Sequence, residues 1–170
     1  MCPTLFTPII RTTSLNGPAE AGHHVDVNGV RMSTENKALV RRWFKEVWNE
    51  GNAKTIDELL TDRSVIHGLG EDLRGPAAFK SFHAAYRDAF PDVKIQIERM
   101  VAEDDLVAVH WSASATHNGS GLGFAATGRP VKFSGMGIAR FEGHKLIEGW
   151  NNFDQLGLLQ QIGVVALPAS

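Results

Sequence analysis

Two long runs of alternating hydrophobicity meet at a tight turn late in the chain, and they constrain the fold more than any other feature. Val131–Glu142 and Lys145–Phe153 read as strands joined at Gly143-His144, and a short helical pattern, Leu156–Ile162, follows Asp154. Two further runs precede them. Val93, Ile95 and Ile97 alternate with Lys94, Gln96 and Glu98; after a turn at Glu103-Asp104-Asp105, Val107, Val109, Trp111, Ala113 and Ala115 alternate with Ala108, His110, Ser112, Ser114 and Thr116. Long strands in direct succession predict an antiparallel meander, and a curved hairpin can wrap a small domain into a pocket.

The first half of the chain has a helical period instead. Leu39, Val40, Trp43, Phe44, Val47 and Trp48 recur at three- and four-residue steps behind a cap at Ser33 or Thr34. Gly51 stands where a helix ends in left-handed backbone, and Asn52 caps a second, short helix carrying Ile56, Leu59 and Leu60. Ser64–His67 reads as a short strand running into Gly68-Leu69-Gly70. A third helix starts near Gly75-Pro76 and ends by Phe90-Pro91, with Phe79, Phe82, His83, Tyr86 and Phe90 on one face. Helices first and a meander afterwards predict an α+β fold with a mostly antiparallel sheet curved over N-terminal helices. Asn118–Arg129, rich in glycine, is a long loop of the kind that often serves as a lid.

The expected organisation is an N-terminal extension over residues 1–32, one domain over 33–163 and a tail over 164–170. Within the extension, Val25, Val27 and Val30 flank Asn28-Gly29, a hairpin signal over His23–Met32. A similar strand opens α/β-hydrolases, but no G-x-S-x-G follows it.

The formal net charge of -2 offers no attraction to nucleic acid or to an anionic membrane. No run approaches the roughly 18 apolar residues of a membrane span. A single cysteine, Cys2, forms no internal disulfide and suits a reducing, cytoplasmic setting. The seven histidines lack metal-ligand spacing, His23-His24 included, and no phosphate- or dinucleotide-binding motif occurs. No cofactor and no metal are therefore expected.

Several short motifs carry a family resemblance. They are Thr127-Gly128-Arg129-Pro130-Val131, then Gly135, Arg140-Phe141, Lys145-Leu146, Glu148 and Trp150, and finally Asp154 through Gly163. Upstream lie Glu35-Asn36-Lys37, Val47 through Asn52, Ala89 through Asp92, and Thr116-His117. From about Thr34 to Gly163 the chain resembles the SnoaL-like polyketide cyclases, or ester cyclases, of the NTF2-like superfamily. The resemblance implies a cone whose open end holds a hydrophobic small molecule, and a homodimer through the outer sheet face. It also implies acid/base chemistry on a polyketide-like carbonyl compound by an aspartate, at the position that Gly137 occupies in this chain.

Enolisation, ring closure, isomerisation and dehydration each need one proton-transfer group in a dry wall, and none needs a cofactor. The candidate catalytic residues are His110 in mid-strand, His67 at the end of a short strand, and Glu148, two residues from both Leu146 and Trp150. Candidate substrate contacts are His83 on the apolar helix face, Trp111, Phe133, Met136, Trp150, and His117 at the start of the loop. Each has a structural alternative: core packing for the aromatics, a loop anchor for His117, a helix cap for Asp154. The competing functional expectation is a non-catalytic NTF2-like binding or dimerisation module, and the replaced aspartate is what such a module would show.

Overall fold

The computed structural model describes residues 27–166. Helix α1 (Val27–Arg42) continues into π-helical turns over Trp43–Asn49. Helix α2 (Lys54–Leu59), strands β1 (Val65–His67) and β2 (Leu73–Arg74), and helix α3 (Gly75–Ala89) follow. Then come β3 (Lys94–Glu103), β4 (Leu106–Thr116), β5 (Pro130–Glu142), β6 (Lys145–Phe153) and helix α4 (Gln155–Gln161).

The expected hairpin is not there over the residues that are described. His23–Asp26 lie outside them, and the remainder of that stretch is the start of α1, several residues before the expected cap. A lone two-stranded hairpin is marginal in water. The same residues gain i,i+4 contacts as a helix: Thr34 donates to the Val30 carbonyl, and Arg31 pairs with Glu35 at 2.9 Å.

The other boundaries follow local chemistry. Gly51 takes φ of 71°, the Asn52 side chain accepts the Lys54 N–H at 3.1 Å, and Asp154 accepts the Gly157 N–H at 2.8 Å to cap α4.

One six-stranded sheet runs in the order β2-β1-β6-β5-β4-β3. Neighbours are antiparallel except β1 and β6, which pair in parallel. Register shifts between Ile97 and Arg99 on β3, and between Arg140 and Phe141 on β5, bend the sheet. On its concave face Val107, Val109, Trp111, Ala113 and Ala115 are buried against the helices.

The convex face follows from the pairing. Val101, Ala108, Ile138, Trp150 and His67 lie opposite one another in a single row across five strands. The loop after β4 is tied down at its root. The His117 backbone pairs with Arg129 and accepts from Thr127 and Gly128, while Asn118 and Gly119 donate to the Ala89 carbonyl at the end of α3. Among the described residues, no helix is long and apolar enough to cross a membrane.

Candidate functional site: the cone cavity

The space between the concave sheet face and the helices is a cavity of about 120 Å³. The π-helical turns present Trp43 and Trp48, five residues apart, to this space, and α3 presents Phe79, Phe82 and Tyr86. Trp111, Phe133 and Phe153 line it from the sheet. The rings interlock: Trp43 and Phe79 have centroids 4.9 Å apart, Phe82 and Tyr86 4.6 Å, and Trp111 and Phe133 6.0 Å at nearly a right angle. Such a wall suits a flat, apolar molecule.

Among the described residues, no lysine, arginine, histidine, aspartate or glutamate lines the cavity; its side chains beyond hydrocarbon and indole are Tyr86 and Asn151. Burial pushes the Tyr86 phenol up to about 12, so it keeps its proton at neutral pH. Asn151 lies opposite Gly137 in the β5–β6 ladder. A Cβ built on Gly137 would stand 3.5 Å from the Asn151 amide oxygen.

The expected site residues separate into three places. Trp111 and Phe133 line the cavity. Trp150 borders it, its carbonyl oxygen 3.1 Å from where a Gly137 Cβ would stand, but its indole stacks on His67, with centroids 5.7 Å apart at 25°. Met136 is 64% exposed, in register with His110 on the convex face, so neither side chain is aimed into the cone. The concave positions of β4 belong to its apolar set, which puts His110 on the other side.

His67 and Glu148 are also convex. Beta-strand β6 carries an extra residue, Ile147, where the β5–β6 register shifts between Arg140 and Phe141. Leu146 therefore lines the cavity while Glu148, two residues on, faces away from it and pairs with Arg140. Glu148 accepts from Arg140 at 3.0 Å and binds His67 Nε2 at 3.2 Å, and Asp72 binds His67 Nδ1 at 2.8 Å. With both ring nitrogens facing carboxylates, the protonated form of the imidazole is favoured. Asp72 first and Glu148 second raise the His67 pKa, and His67 first and Arg140 second lower that of Glu148.

A pH dependence follows. A raised histidine pKa adds stability that is full below its unfolded value and is lost as pH rises through the folded value. A lowered carboxylate pKa adds stability that is lost as pH falls through its folded value. Thermal melts should therefore show Tm falling as pH rises through the His67 titration, and His67→Gln should flatten that slope. An unchanged slope in the variant would contradict the ion cluster.

The two remaining histidines are internal but not in the cavity wall. His83 is 4% exposed and donates from Nε2 to the Val47 carbonyl at 2.8 Å; burial lowers its pKa and keeps it neutral. His117 is fully buried beside Phe90, its Nδ1 3.1 Å from the Thr127 hydroxyl, and its Nε2 has no partner among the described residues. These contacts tie helix to helix and loop to strand. Among the described residues, no cluster of three or more histidine, cysteine or acidic side chains is placed to hold a metal ion.

Comparison with known proteins agrees with this geometry. A model of the SnoaL-like polyketide cyclase family matches residues 38–162. A protein of Acidithiobacillus ferrooxidans assigned as a polyketide cyclase is 31% identical, with a TM-score of 0.66, over 79% of this chain and 98% of that one. AclR of Streptomyces galilaeus, assigned as a hydroxylase, is 25% identical at a TM-score of 0.72, over 81% of this chain and 91% of that one. A protein of Jannaschia sp. CCS1 assigned as a SnoaL-like polyketide cyclase has a TM-score of 0.73 at 22% identity, over 79% of this chain and 96% of that one, a likeness of fold. No curated protein matches. The fold is an NTF2-like cone, and the chain belongs to the SnoaL-like polyketide cyclase family.

Tyr86 and Asn151 were not among the expected site residues. Tyr86 could have been found as the one hydroxyl on a helix face of phenylalanines. Asn151 could not, because its pairing with Gly137 depends on the β6 bulge.

Proposed function

We propose that this protein binds a hydrophobic, polyketide-like carbonyl compound in its cone, and that the cone works as a binding cavity with no proton-transfer group of its own. The observation that carries the reading is the lining: aromatic and aliphatic but for Asn151, and without a carboxylate or an imidazole among the described residues, Gly137 included, where the resemblance implies an aspartate. Proton abstraction beside a carbonyl needs a base within hydrogen-bond reach of the substrate. A neutral phenol and an amide can hold an oxygen but cannot take that proton.

The family match favours a second reading, a cofactor-free cyclase, isomerase or dehydratase in which His67, His110 or Glu148 moves a proton. One experiment separates the two. Aromatic and polyketide-like ketones are incubated with the protein in deuterated water, and exchange at the carbon beside the carbonyl is followed by NMR alongside binding. Binding without catalysed exchange, unaffected by His67→Ala, His110→Ala or Glu148→Gln, supports the binding cavity. Catalysed exchange that one of these changes abolishes, with affinity retained, establishes the enzyme.

A cytoplasmic homodimer completes the proposal. Its support is the convex face, where Val101 (67% exposed) on β3 and Met136 and Ile138 on β5 present apolar side chains on either side of β4. In sedimentation velocity the protein should run as a dimer, and Val101→Glu with Met136→Glu should shift it to monomer without loss of ligand binding. A monomeric wild type would contradict this interface.

A further inference from the structure

Within an otherwise apolar wall, the two polar side chains that line the cavity share one property. Among the described residues, neither the Tyr86 hydroxyl nor the Asn151 amide has a hydrogen-bond partner, and both residues line the same space. Both residues are half-buried, so the two polar groups stand at the accessible part of the wall, where a ligand's polar atoms can reach them. Gly137 stands directly across the ladder and leaves the space beside the amide unfilled; a methyl group there would sit in ordinary contact, 3.5 Å from the amide oxygen, and tightly against the Trp150 carbonyl at 3.1 Å. Any longer side chain at 137 would stand against the amide.

We propose that Tyr86 and Asn151 are the positioning contacts of the cone, donating hydrogen bonds to the oxygen atoms of an uncharged aromatic ketone, and that Gly137 is the gap that makes Asn151 available. The inference rests on the cone being the ligand site. The ligand is uncharged because, among the described residues, no cation lines the cavity: a carboxylate moved from water into this wall would lose its hydration with no charge to offset it. A carbonyl oxygen needs only donors, and a phenol and a primary amide supply them. The amide also carries an acceptor oxygen, so a phenolic hydroxyl on the same ligand can be held at the same place.

The test uses three naphthalenes of one shape: 2-acetonaphthone, which is an uncharged ketone; 2-naphthoate, an anion; and 2-ethylnaphthalene, which forms no hydrogen bonds. Binding is read from the fluorescence of the indoles that line the cavity. The wild-type protein should bind the ketone at least tenfold more tightly than the anion. Asn151→Leu and Tyr86→Phe should each weaken the ketone roughly threefold to tenfold, the range of a single neutral hydrogen bond, and Gly137→Ala, which only crowds the amide, should weaken it less. Affinity for 2-ethylnaphthalene should stay within about twofold in each, which also shows that the variants are folded. Naphthoate binding as tightly as the ketone, or the ketone and the hydrocarbon weakening in parallel, overturns the assignment of these residues and leaves the cone as a ligand site. Failure of all three compounds to bind overturns the cone itself, and the assignment with it.

Discussion

Trp111→Ala should lower the unfolding free energy by about 3–5 kcal/mol, the range for removing a large aromatic from a packed core. The indole is 5% exposed and stands at the centre of the concave face. It meets Phe44 at 6.3 Å, Phe133 at 6.0 Å and Phe153 at 6.4 Å between centroids, so it joins the helix layer to three strands. It also lies directly over Gly135: a Cβ there would come 2.4 Å from its Cζ2. Little can collapse into the space, because the facing residue has no side chain to move. Urea denaturation measures the loss, and a change below about 1 kcal/mol would mean that the cone does not close around this ring. Phe133→Leu, which keeps most of the volume, should cost much less.

Gly68→Ala should be destabilising on a similar scale, about 2–6 kcal/mol. Roughly 1–3 of that comes from a non-glycine residue held in left-handed backbone, and roughly 1–3 from overpacking. Gly68 has φ of 82°, and a Cβ would stand 1.9 Å from the Asn151 carbonyl oxygen, a backbone atom that moves only if β6 moves. Gly70 provides the control. Its φ is 100°, yet nothing lies within 4 Å of a Cβ there, so Gly70→Ala should carry the conformational part alone. Equal losses at the two positions would contradict the close approach of Gly68, just past β1, to the β6 backbone. Because that approach bears on the backbone of Asn151, Gly68→Ala should also weaken ketone binding in whatever protein remains folded.

Most of the architecture was legible in the amino-acid sequence because it rests on local rules. Alternation located β3 to β6, helical period located the tryptophan helix and α3, and Gly51, Asn52 and Asp154 marked ends where they stand. The Asn28-Gly29 signal misled because a turn preference has effect only where its flanking strands find a sheet, and the residues that follow pair better as a helix. The cavity wall was partly legible, since Trp111 and Phe133 stand on runs whose apolar face had to be inward. The polar residues were not. Whether Glu148 looks in or out is decided by Ile147, an extra residue that reverses the faces of everything after it, and no alternation pattern marks a bulge. His67 inherits its face from a parallel pairing with β6, a long-range contact that three residues of strand do not reveal. The same bulge brings Asn151 opposite Gly137, so one backbone irregularity takes the candidate acid out of the cone and puts an amide into it.

The most direct measurement is a crystal structure of the protein with 2-acetonaphthone bound. The account predicts the fused rings inside the cone, between the tryptophans of the helix layer and Trp111, with the carbonyl oxygen within hydrogen-bond distance of Tyr86 or Asn151. Rings seated on the convex face, against Trp150 and the His67–Glu148 pair, would contradict it and move the chemistry to the other side of the sheet.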